Sequence, residues 1–193
     1  MAAMLTGVSA GTVTLILLVG FAGHLLHPRV LPAALTAHRT VPAPLVWPVA
    51  VAVGALEGVL GAVTGYALLA GRPRALTLGA TGSALLFVAY ALYGLYVLRT
   101  RPSGRGRGDR VAGAENRAVP CGCSADDTPM SGWVAGRAAA LALASVTASA
   151  GAGSATASHG VHVALVGLSS VTFAVLLWSL PTAMADPERS VAG

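Results

Sequence analysis

The stretch Leu45–Ala70 reads LVWPVAVAVGALEGVLGAVTGYALLA. A helix needs about 20 mostly apolar residues to cross a hydrocarbon core of about 30 Å, and this run supplies them. One acidic side chain interrupts it, Glu57. A charge near the bilayer centre costs roughly 2.5–3.5 kcal/mol on insertion scales, so such a residue is retained for a reason. Helical spacing puts Gly54, Gly61 and Gly65 on the face of Glu57, which lets a second helix approach and shield it. Two readings stand side by side. Glu57 donates or accepts a proton beside a quinone or a thiol, or it is a carboxyl hydrogen-bonded to a neighbouring helix to hold a bundle together.

Working outward, the same composition recurs along the chain. Of its 193 residues 55% are hydrophobic and only 10% charged, with a mean hydropathy of +0.73. A soluble domain carries roughly a quarter of its residues as charges, so the membrane class comes first. Apolar runs at 5–26 and 75–98 match the run at 45–70, and a clear further run covers 161–180. The run at 133–157 is built of Ala, Ser, Thr and Gly and is expected inside the bundle, where small residues let backbones approach. The expected fold is an all-α integral membrane protein, four core transmembrane helices plus a fifth span, in one domain over residues 1–193. No basic residue precedes the first run, as a secretory signal would require, so that run is expected to remain as a helix.

All twelve basic residues are arginine. With five spans, one side of the membrane holds only Arg72 and Arg74. The other holds Arg29, Arg39, the arginines from Arg99 to Arg117, and Arg189. The excess marks the cytoplasmic side. The expected location is thus the plasma membrane, with the amino terminus outside and the Gly/Arg-rich loop 99–132 inside. No aromatic residues interleave with the arginines of that loop, which argues against a nucleic-acid partner. The loop reads as a solvated tether near anionic lipid heads.

Within the loop lies VPCGCSADD, Val119–Asp127, with the only two cysteines of the chain, Cys121 and Cys123. A metal site needs three or four protein ligands and one C-x-C supplies two. The pairs His24/His27 and His159/His162 fall near opposite membrane faces, so no metal is expected, and these histidines read as interfacial side chains. A disulfide over one intervening residue is a small, constrained ring, and Gly122 supplies the backbone freedom it needs. Strained, exposed disulfides exchange readily. Arg137, near the start of the next helix, and that helix's positive dipole end would favour a thiolate. Cys121 and Cys123 are therefore the candidate catalytic pair, with Gly122, Glu57 and Arg137 in support.

PCGC leading into a helix with an arginine in its first turns resembles the methylamine utilisation protein MauE family, within the wider DoxX-like redox-associated membrane proteins. The resemblance takes in FAGHLLHP at the end of the first run and ALEGVLG in the second, and covers most of Thr14 to Leu143. Ser124 and Ala125 follow the second cysteine where the family motif usually continues Phe-Gly. The resemblance implies a helical bundle that handles thiol–disulfide electrons at the membrane for a thioredoxin-like or low-molecular-weight thiol partner. The family's named role is maturation of methylamine dehydrogenase, an exported protein, whereas the arginines place this pair inside. Three resolutions stand open: a membrane quinone takes the electrons, a partner supplies a second site, or the topology is inverted.

Tyr90, Tyr93 and Tyr96 recur every three residues in the third run. They read as an aromatic belt, with a quinone-headgroup contact for Tyr90 and Tyr93 as the sharper alternative. Trp47, Trp133 and Trp178, near span ends, read as interfacial anchors. The competing function class is a non-catalytic membrane scaffold or small-molecule carrier with an incidental C-x-C.

Overall fold

The computed structural model describes residues 1–38, 40–100, 132–155 and 161–184. Every element among them is helical: α1 Ala2–Leu26, α2 Val30–His38, a 3-10 turn Ala43–Leu45, α3 Val46–Leu69, α4 Pro73–Thr100, α5 Gly132–Ala150, α6 Ala152–Ala155 and α7 Val161–Met184. The first span, the 3-10 turn with α3, α4 and α5 are each long and apolar enough to cross a membrane. Their outward faces carry Val59, Leu78, Leu85, Leu92 and Leu143, all exposed. Such a continuous apolar surface is stable only against lipid. The protein is a multi-pass membrane protein, and the bilayer is its solvent.

Local chemistry sets the ends. Pro28 follows the last turn of α1, whose closing bond runs from the His27 N–H to the Gly23 carbonyl at 2.8 Å. At the end of α3, Gly71 takes φ 62°, and the Arg72 N–H returns to the Ala67 carbonyl at 2.9 Å. That is the long bond of a Schellman cap, and it favours a residue without a Cβ at the left-handed position. Pro73 then opens α4, where its missing N–H costs nothing.

The helix directions follow from which residues meet. A Cβ built on Gly54 meets His24, on Gly61 meets Leu17 and Leu18, and on Gly65 meets Thr14, so α3 runs antiparallel to α1. Gly79 against Thr64 and Gly82 against Leu60 set α4 antiparallel to α3. Thr81 hydrogen-bonded to Ser149 at 2.9 Å, with Gly94 against Ala135, sets α5 antiparallel to α4. Gly7 against Val166 and Gly11 against Ser170 place α7 parallel to α1. The glycines on the Glu57 face therefore do what their spacing predicts: they bring α1 close.

The two ends of the bundle differ. Ala10, Ala67, Leu76, Ala80, Ala148 and Ala152 form a tight, small-residue cluster at the α3–α4 turn. Toward the middle the core widens to Val13, Ile16, Leu17, Leu86, Phe87 and Leu141. At the far end α2, an element absent from the sequence expectation, folds against the start of α3 through Leu35, Val46 and Ala50. The small-residue run 133–157 becomes α5 packed on α4 and α1, ending at Ala150. A bend at Gly151, where a Cβ would run into the Thr6 side chain, leads into α6.

Candidate functional site

Glu57 projects from the middle of α3 toward α1 and α4 and is 7% exposed. On the α1 side it faces Gly20, where a Cβ would lie 3.1 Å from its Oε2. On the α4 side the Tyr90 hydroxyl donates to Oε1 at 2.7 Å. His24, one turn beyond Gly20 on α1, brings Nε2 to 3.3 Å from Oε2, within ion-pair reach. Among the described residues Oε2 has this contact but no hydrogen bond. Three helices thus converge on one carboxyl: α1 through His24, α3 through Glu57, α4 through Tyr90.

One turn further along α4, Tyr93 reaches the short helix. Its hydroxyl lies 2.7 Å from Nδ1 of His38 and 3.1 Å from Oγ1 of Thr40, and the His38 and Tyr93 rings pack at 5.8 Å between centroids. This fastens the end of α2 to α4. Behind the fastening lies a cavity of about 370 Å³. Its walls are apolar, with Leu17, Leu35, Phe87 and Leu141 among them, and Glu57, His24 and Tyr90 supply polar groups. Arg137, in the second turn of α5, also lines it and lies over the Trp178 ring, 5.7 Å from Cζ to centroid. That is cation–π distance, which holds the guanidinium at the wall.

Several expectations change here. Tyr90 and Tyr93 do not form an aromatic belt; they face inward and bond Glu57 and His38, while Tyr96 alone of the three is exposed. Trp178 is part of the cavity wall, unlike the exposed Trp47 and Trp133. His27 is exposed, as an interfacial side chain should be, but His24 turns in to the carboxylate because Gly20 and Gly54 leave room beside it. His38 and Thr40 carried no signal in the sequence. His24 did carry one: it sits near the end of a span that must shield a glutamate. Among the described residues no group of three or more His, Cys, Asp or Glu could hold a metal. Cys121, Gly122 and Cys123 lie outside the described residues.

The family model for methylamine utilisation protein MauE matches residues 1–105. The chain belongs to the MauE family. The match takes in α1 to α4 and with them His24, Glu57, Tyr90 and Tyr93; it ends before Cys121. MauE proteins are membrane proteins of methylamine utilisation, in keeping with the apolar bundle. No curated protein and no solved structure matches the chain significantly.

Proposed function

We propose that this MauE-family protein is a thiol–disulfide redox protein of the plasma membrane, in which Cys121 and Cys123 exchange electrons with a thioredoxin-like protein or a low-molecular-weight thiol. In the family's setting this would support maturation of a disulfide-rich methylamine-oxidising enzyme. The observation behind the reading is the direction of two helices. α4 ends at Thr100 and α5 begins at Gly132, both at the end of the bundle that holds Tyr93 and Arg137, so the cysteine-bearing segment is anchored there at both ends.

The step is two-electron exchange. One thiolate attacks the partner's disulfide, forming a mixed disulfide and releasing a partner thiolate. The second cysteine then attacks the mixed disulfide, closing the Cys121–Cys123 bond and freeing the partner as a dithiol. The protein is oxidised by two electrons and the partner is reduced; the reverse sequence oxidises the partner. Glu57, in the middle of α3, and the partly buried His24 beside it are the groups that would hold the accompanying proton.

The scaffold or carrier reading draws on the cavity itself. Its walls are predominantly apolar, however, which suits neither an ion nor a polar metabolite. The deciding experiment traps redox states in cells with an alkylating mass tag. Cys121→Ser and Cys123→Ser should each abolish cycling, their effects should not add, and one of them should accumulate a mixed disulfide with its partner. Wild-type function from a chain lacking both cysteines would leave the scaffold reading standing.

A further inference from the structure

The cavity beside Glu57 has features that thiol exchange alone does not call for. It is about 370 Å³, in the range of roughly 300–1,000 Å³ found for small-molecule sites. Its polar side chains are Glu57, His24, Tyr90, Tyr93 and Arg137, and among the described residues one oxygen of Glu57 finds no hydrogen bond although the residue is 7% exposed. A buried acceptor or donor left unpaired is costly, and in a membrane interior no bulk water is at hand to satisfy it. A ligand O–H would.

The arrangement of polarity selects the ligand class. A phospholipid or fatty acid would leave its charged head at the membrane face and press its acyl chain against the carboxyl and imidazole, the least favourable match. The site instead suits a molecule with a compact, planar, oxygen-bearing head that goes in first and an apolar tail that follows. Phe87 and Tyr90, packed edge to face at 6.1 Å, offer aromatic contact to a ring.

We infer that this cavity is a binding site for a hydrophobic quinone, whose carbonyl oxygen accepts a hydrogen bond from the Nε2–H of His24 and whose hydroquinone form donates an O–H to Oε2 of Glu57. The inference rests on the redox reading and extends it by naming the electron acceptor. Two thiols and one quinone give one disulfide and one hydroquinone, with both electrons and both protons accounted for, and the buried carboxyl and imidazole are the groups beside the oxygen that gains a proton.

The test is binding, so that it stands or falls apart from thiol chemistry. The full chain in lipid nanodiscs is titrated with a short-tailed benzoquinone, and bound quinone is measured after equilibrium dialysis against empty nanodiscs. One saturable site per chain is expected, retained in the Cys121→Ser/Cys123→Ser double variant. His24→Phe should weaken it about three- to tenfold, the loss of one good hydrogen bond. Ala138→Phe, which fills the cavity from α5 without touching the carboxyl, should abolish it, while Leu85→Ala on the lipid face should not change it. Thermal unfolding of each variant confirms that the bundle is intact; should Ala138→Phe fail to fold, His24→Phe and Leu85→Ala decide alone. Uptake no greater than in empty nanodiscs, equal binding in wild type and His24→Phe, or displacement of the quinone by stoichiometric oleate would each overturn the assignment. Saturable binding with no disulfide cycling in cells would keep the site and remove the thiol exchange.

Discussion

Replacing Tyr90 by phenylalanine tests whether the buried carboxyl is tied to α4 as the geometry requires. The substitution keeps the ring, and with it the packing on Phe87, and deletes one oxygen that lies 2.7 Å from Glu57 Oε1. Because Oε2 already lacks a hydrogen bond, Tyr90→Phe would leave the carboxyl without an aligned donor from a described residue. An orphaned buried acceptor costs about 1–3 kcal/mol in water-soluble proteins. In membrane bundles interhelical hydrogen bonds average only about 0.6 kcal/mol with a maximum near 1.7, because the dissociated helices also find partners. The two ranges overlap at about 1–1.7 kcal/mol, roughly a tenfold shift in the unfolding equilibrium.

The assay is reversible unfolding of the full chain in mixed micelles, followed by tryptophan emission, in a double-mutant cycle with Glu57→Leu. In the Glu57→Leu background there is no carboxyl to orphan, so Tyr90→Phe should then cost close to nothing, giving a coupling of about 1 kcal/mol. Tyr96→Phe, at an exposed hydroxyl on the same helix, should change stability by less than about 0.5 kcal/mol in either background. The same cost for Tyr90→Phe with and without the carboxyl would refute the reasoning, because the hydroxyl would then act through something other than Glu57.

Glu57→Gln should leave the chain folded, since an amide oxygen still accepts from Tyr90, but it should slow thiol cycling in cells if the carboxyl moves protons; unchanged cycling would assign Glu57 to structure alone. Gly61→Leu should destabilise the bundle by about 1–3 kcal/mol or more, because its Cβ already falls 3.0 Å from Leu18 and 3.2 Å from Leu17. Gly136→Ala on α5, where nothing lies within 4 Å, should be neutral or gain up to about 1 kcal/mol in helix propensity, and equal melting shifts for the two variants would contradict the α1–α3 register. A maleimide that cannot cross membranes should leave reduced Cys121 and Cys123 unlabelled in intact cells and label them in inverted vesicles; labelling from outside would reverse the orientation read from the arginines.

The spans were legible because the period of a buried helix matters little when every face is apolar: length and the absence of charge suffice, as Leu45–Ala70 and Ala75–Leu98 illustrate. The glutamate was legible for the complementary reason, since an ionisable residue in such a run has few inexpensive explanations. The site around it was not. Tyr90 and Tyr93 sit near a helix end, where amphipathic rings also serve as interfacial anchors, so only the third dimension shows them facing inward. α2 escaped because its nine residues fall below the length a membrane reading looks for, and because Pro28, Pro32, Pro42 and Pro44 make the segment read as a loop. Pro32 lies in the first turn of α2, where a missing N–H is tolerated, so the prolines bound the helix without breaking it.

The spacing of the two tyrosines has a consequence for how the site responds to its surroundings. Tyr90 and Tyr93 stand three residues apart, so they share one face of α4 and lie about 4.5 Å apart along its axis. The first holds the carboxyl of α3 and the second holds the end of α2, so the buried carboxyl and the helix that closes over the cavity are fixed to the same rigid element. α4 also ends at Thr100, next to the segment that bears the cysteines. A displacement of that end large enough to change what Tyr93 touches must therefore disturb the hydrogen bond at Glu57, since a helix transmits a shift along its axis with little loss. Side chains on two separate helices would not be coupled in this way. Cutting the outer fastening with Tyr93→Phe should accordingly loosen the Tyr90–Glu57 bond as well, visible as a reduced coupling energy between Tyr90→Phe and Glu57→Leu when both are measured in the Tyr93→Phe background. An undiminished coupling there would show that α2 can move without α4.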